Sequence, residues 1–87
     1  MQMMPISDIV KLDLHWVRGE DARYAAIMKS LKRGEAINEA IKLIQCACGK
    51  TYILQDGGHR ITAAHKLFQQ TGKDTLIPVD IFQSDIP

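Results

Sequence analysis

No sign of charge dominates this chain. Eleven Lys and Arg stand against ten Asp and Glu in 87 residues, a formal net charge of +1, and the basic residues are scattered or paired with acids. That balance excludes the strong positive footprint of a stand-alone nucleic-acid binder. Duplex DNA is therefore a disfavoured partner. Cysteine is scarce too. Cys46 and Cys48 lie two apart, too close for a disulfide that would brace a fold, so they are expected to be packing residues in a reducing cytoplasm. No apolar run approaches the roughly 18 residues of a membrane span, and Met1 to Lys11 lacks the basic start and long apolar block of a signal peptide. The expectation is a soluble, cytoplasmic protein with no membrane partner. With one Trp, two Tyr and two Phe, aromatics are few, and Trp16 and Tyr24 are read as core or core-edge anchors in preference to base-stacking platforms. Repeats, linkers and low-complexity tracts are absent.

What is present is globular in character: 46% hydrophobic and 24% charged residues, with one domain expected over 1–87. A chain this short buries only roughly 60 to 65% of the surface its unfolded form exposes. Each large apolar side chain therefore matters, and there is little room for a deep cavity.

Along the chain, MMPISDIVK from Met3 to Lys11 is a short apolar segment with Pro5 near its start, which suits an edge strand. The next stretch, 12-LDLHWVRG-19, has no clean period and ends at a glycine, so a surface loop is expected, with Trp16 folding back onto the core. Glu20 to Arg33 carries Tyr24, Ile27, Met28 and Leu31 at helical spacing. Glu20 and Asp21 at its start and Lys32 and Arg33 at its end match the helix macrodipole, and Gly34 can stop it. The segments 40–47 and 50–55 read as two arms of a hairpin turning at Cys48 and Gly49. A second helix is expected from about Gly58 to Thr71, with Ile61, Ala64, Leu67 and Phe68 on one face and Gly72 as its stop. The closing strand is 76-LIPVDIF-82, whose proline argues for an edge or strand-end position. The order is β-α-β-β-α-β: a small α+β domain with two main helices on a mixed sheet of about four strands.

The stretch that calls for a functional explanation is 54-LQDGGHRITAAHKL-67, a strand that turns through Asp56, Gly57 and Gly58 into a helix at His59 and Arg60. A helix start presents N–H groups outside the helical ladder and a partial positive charge, and glycines let an anion approach that backbone without meeting a Cβ. Arg60 adds a guanidinium fork suited to two phosphate oxygens, and His59 adds a ring donor. Two roles fit Asp56: holding a magnesium ion together with phosphate oxygens, or capping the turn by accepting backbone N–H groups. A plainer account has both glycines satisfying a tight turn and Arg60 pairing with a surface carboxylate, which leaves the clustering of Gly57, Gly58, His59 and Arg60 without a cause. Zinc is not indicated. His59 and His65 are six apart and fall on different helix faces, and the two cysteines lack further ligands at suitable spacing.

The run LQDGGHRITAAHKL, followed after a glycine by IPVDIF, resembles the ParB/sulfiredoxin superfamily, whose members place a G-x-[HR]-R box between a strand and a helix. The resemblance extends over most of the chain, from a leading PISDI-like strand to the I-P-V strand. It implies that Gly57, Gly58, His59 and Arg60 contact the phosphates of a nucleoside triphosphate, ATP or CTP. Sulfiredoxins have a catalytic cysteine immediately before the His-Arg pair; this chain has Gly58 there, which does not support sulfinate repair. The partition proteins hydrolyse CTP and continue into DNA-binding and dimerisation domains, which these 87 residues do not include. Free serine kinases use a similar D-G-x-x-R box with an acidic residue leading into the first helix, where this chain has Glu20 and Asp21. Either could act as a general base in phosphoryl transfer; as acids at a helix start they also have a plain electrostatic role. The expected function is binding of a nucleotide or another phosphorylated small molecule, with NTP hydrolysis or phosphoryl transfer as the reaction class and Glu20 and Asp56 as candidate catalytic carboxylates. The rivals are a regulatory or adaptor module without catalysis and a DNA-associated regulator or nuclease.

Overall fold

Alternation and helical spacing build most of the observed elements. The structure, a computed structural model, describes residues 2–15 and 22–83. Its elements are β1 (Gln2–Pro5), α1 (Ile6–Ile9), β2 (Asp13–His15), α2 (Ala22–Lys32), β3 (Ile41–Gln45), β4 (Thr51–Asp56), α3 (Gly58–Thr71) and β5 (Leu76–Gln83). In β3, Ile41 and Leu43 are buried and Lys42 is exposed, the period-two pattern of a strand with one covered face. The helix α3 spans the expected residues. Ile61, Ala64 and Leu67 face inward, and Gly72, at φ 77°, ends the helix by donating its N–H to the Phe68 carbonyl at 2.8 Å.

The molecule is a small α+β fold. Its mixed sheet has the order β1-β5-β3-β4-β2, antiparallel between β1 and β5 and between β3 and β4, parallel between β5 and β3 and between β4 and β2. Met28 and Leu31 of α2, Ile6 and Ile9 of α1 and the inner face of α3 join Ile41, Leu43, Ile77 and Val79 in one apolar cluster. Tyr24 packs against that cluster, with Lys66 Nζ over its ring at 5.8 Å, as expected of a core-edge anchor. Trp16, Glu20 and Asp21 lie outside the described residues. Among the described residues, no helix is long and apolar enough to cross a membrane.

The sheet has five strands among the described residues, not about four. The extra one, β2, lies in the expected loop and pairs in register with β4, Asp13 opposite Thr51 and Leu14 opposite Tyr52. Three residues give too few repeats for a period, although Leu14 is buried and Asp13 exposed as a strand requires. The first strand is shorter than expected because the chain turns at Ile6 into a single helical turn. Ile6 and Ile9, both fully buried, are three apart, and Asp74 caps the turn from 67 residues away, accepting the Ser7 hydroxyl and, at 3.0 Å, the Ser7 N–H.

The closing strand is not an edge strand in sheet order, since β5 lies between β1 and β3. Its proline is tolerated because the two pairings barely overlap: β1 pairs with Leu76 to Val79, and β3 begins at Val79. Pro78 thus has a partner on one side only, which is what a residue without an N–H requires. A further correction concerns the cysteines. They are not free packing residues but a Cys46–Cys48 disulfide, located in the turn after β3. Gly49, at φ 77°, folds that turn back and donates to the Cys46 carbonyl at 2.9 Å, bringing the two Cα atoms to 5.4 Å.

Candidate functional site

The site begins where β4 runs out. Gly57 is buried, sits at φ 111°, and occupies the N-cap position of α3. A Cβ at this position would lie 2.9 Å from Ile41 Cβ, closer still to its Cγ2, and 3.0 Å from Arg60 Nη1. The first glycine therefore has a cause within the fold: β3 and the Arg60 side chain press against it, and its backbone is left-handed. Ile61 N–H makes the first helical bond, to the Gly57 carbonyl at 3.1 Å, so the donors of the preceding turn fall outside the helical ladder. Thr62 Oγ1 returns a bond to the Gly58 carbonyl at 2.8 Å, which tightens the turn. Asp56 stands exposed at the end of β4 and is not the N-cap, and no side chain supplies a cap bond there.

Arg60 is largely covered. Its Nη2 pairs with Glu39 Oε2 at 2.5 Å and its Nη1 donates to the Ala40 carbonyl at 3.3 Å, so the guanidinium ties the segment before β3 to the start of α3. This is the pairing with a surface carboxylate that the plainer account expects. The Arg60 side chain is 17% exposed and that of Glu39 80%, so the anion of the pair is in water. An ion pair of that kind contributes about 1 kcal/mol or less.

Two adjoining hollows meet at Arg60. The smaller, about 360 Å³, is lined by the whole run from Leu54 to Arg60 and, across from it, by Arg23 and Ile27 of α2. The larger, about 630 Å³, lies between α2 and the segment before β3, with Ala26, Leu31 and Ile37 among its apolar walls and Glu39 at its rim. Asp56, Gly57, Gly58, His59 and Arg60 thus come together in one groove, as the sequence pattern suggests. Glu20, the candidate general base, lies outside the described residues. Among the described residues, no group of three or more His, Cys, Asp or Glu side chains is placed to hold a metal ion.

Arg23 and Glu39 have no place in the sequence pattern that points to the junction. Arg23 does leave a trace: it puts a cation in the first turn of α2, where the helix dipole disfavours positive charge. Glu39 leaves none, because its partner is 21 residues away and on another element. Comparison with known proteins finds no matching family model, no matching curated protein and no matching solved structure.

Proposed function

We propose that this chain binds a phosphate-bearing ligand, a nucleoside triphosphate such as ATP or CTP or another phosphorylated small molecule, in the groove between α2 and the start of α3. The observation that carries the reading is the convergence on one 360 Å³ hollow of Arg23 from α2 and of the glycine turn, His59 and Arg60 from α3. Two guanidinium side chains and a helix start supply charge and directed donors to the same small volume. The adjoining 630 Å³ hollow, within the size range of small-molecule sites and partly apolar, takes the nucleoside. The resemblance to the ParB/sulfiredoxin superfamily supports the same placement, since its box falls on Gly57 to Arg60.

Magnesium fits this arrangement only as a companion of the ligand. Asp56 offers one exposed carboxylate at the groove, and phosphate oxygens and water complete the shell in such sites. The ion would neutralise charge on the phosphate chain. Arg60, released from Glu39, and Arg23 orient that chain, and the N–H groups of the first helical turn receive its oxygens.

A second reading, a binding module without turnover, is favoured by Arg60 being engaged with Glu39 and the Ala40 carbonyl, a structural role that needs no reaction. Calorimetric titration with ATP, CTP and GTP, with and without magnesium, separates ligand binding from its absence; phosphate release under the same conditions separates the two readings. Binding is expected, weakened at least tenfold by Arg23→Ala, roughly the loss of one charge-assisted hydrogen bond. Arg60→Ala weakens it similarly, with circular dichroism verifying that the fold persists. Equal affinity in wild type and both variants contradicts the proposal.

A further inference from the structure

The hairpin between β3 and β4 carries a disulfide that the fold does not need. Cys46 and Cys48 are two positions apart, and the stabilisation from restricting an unfolded chain is smallest for the shortest loops. Backbone bonds already close the turn: Cys46 N–H donates to the Thr51 carbonyl at 2.9 Å and Gly49 N–H to the Cys46 carbonyl at 2.9 Å. Gln45 Nε2 adds a bond to the Gly49 carbonyl at 3.1 Å. A bond with so little to brace has another use open to it.

The surroundings of the two sulfurs suit reaction. Cys48 is exposed and Cys46 half-buried, so an incoming group meets Cys48 first. Each sulfur has a main-chain donor, Cys48 N–H to Cys46 Sγ at 3.3 Å and Lys50 N–H to Cys48 Sγ at 3.4 Å. Lys50, two residues after Cys48, is exposed, so its N–H bond to Cys48 Sγ lies at the surface. Main-chain N–H donors aimed at sulfur stabilise a thiolate once the bond opens, and the thiolate is the form that attacks and leaves in disulfide exchange.

We propose that Cys46 and Cys48 form a thiol–disulfide exchange site at the hairpin tip, acting on a dithiol whose two sulfurs can themselves close into a disulfide. One thiolate of the dithiol attacks Cys48 Sγ; the electron pair of the S–S bond passes to Cys46 Sγ, which leaves as a thiolate held by the Cys48 N–H. The second thiolate of the dithiol attacks the first sulfur of the dithiol, now bonded to Cys48, and expels Cys48 as a thiolate held by the Lys50 N–H. Two electrons pass from the dithiol to the pair. The dithiol becomes a disulfide, and its two protons end on Cys46 and Cys48. The tip lies at the opposite end of β4 from Asp56, about 17 Å along a six-residue strand, so this site does not rest on the phosphate groove.

The test uses the oxidised full chain and dithiothreitol, with the reduced pair counted by alkylation and mass spectrometry. The chain is expected to be reduced at least about tenfold faster than glutathione disulfide under the same conditions, with its circular dichroism unchanged by reduction. In Cys46→Ser, Cys48 is expected to form a lasting mixed disulfide with glutathione disulfide, while the remaining thiol of Cys48→Ser reacts at least about tenfold more slowly because it is half-buried. Reduction no faster than that of glutathione disulfide, unfolding on reduction, or equal reactivity of the two single-cysteine variants overturns the proposal.

Discussion

Gly57 shows how one residue serves the fold and the site together. Its φ of 111° and the Ile41 side chain beside it leave no space for a Cβ, and the same missing Cβ lets Arg60 lie against the turn. Gly57→Ala is expected to cost about 2–4 kcal/mol from backbone strain and overlap together, measured as a fall in the urea midpoint. A loss within about 0.5 kcal/mol would mean the turn can relax at no cost. Asp74 makes a comparable remote connection. The Ser7 hydroxyl and then the Ser7 N–H, with Lys11 assisting, hold its carboxyl below the ordinary aspartate value. A carboxylate with a lower pKa folded than unfolded stabilises the native state above the unfolded value, and that contribution is lost as pH falls through the folded value. The urea midpoint should therefore drop on acidification from about pH 5 toward about pH 2, and Asp74→Asn should flatten part of that drop. An identical acid profile in the variant places the pH dependence elsewhere.

Elements differ in how openly the sequence announces them. Helix α3 is legible to its last residue because four apolar positions repeat at helical spacing and glycines bound it on both sides. Strand β2 is not, since three residues hold no period, and it exists because β4 offers an edge for parallel pairing. Helix α1 is hidden for another reason: its cap comes from Asp74, which no local window contains. Pro78 misleads by being right locally, as it does occupy a position with one partner, though on a strand with two. The status of β2 can be checked directly. Leu14→Ala should cost about 2–3 kcal/mol in chemical unfolding if Leu14 fills the core as a strand residue. A change of under about 0.5 kcal/mol would return the segment to a surface loop.

At the scale of the molecule, the fold matters because it brings α2 across from the β4–α3 junction. The junction residues were legible as a group because they are contiguous, whereas Arg23 and Glu39 join them only once the helices pack. Glu39 holds Arg60, so under the proposed function a phosphate would compete with it for the guanidinium. Glu39→Gln is accordingly expected to tighten binding of a triphosphate by roughly threefold to fivefold, the worth of an exposed ion pair, in calorimetric titration. Weaker binding would instead assign the carboxylate to the ligand, through a metal ion or a direct hydrogen bond.

The central claim is that the start of α3 receives an anionic group. The most direct measurement is a titration of the isotopically labelled chain with ATP, CTP and GTP, following the backbone amide signals. The account predicts saturable shifts centred on Gly57, Gly58, His59 and Arg60, with Arg23 responding across the groove and Arg23→Ala reducing the affinity. Signals at these residues that stay fixed with every triphosphate at millimolar concentration contradict it.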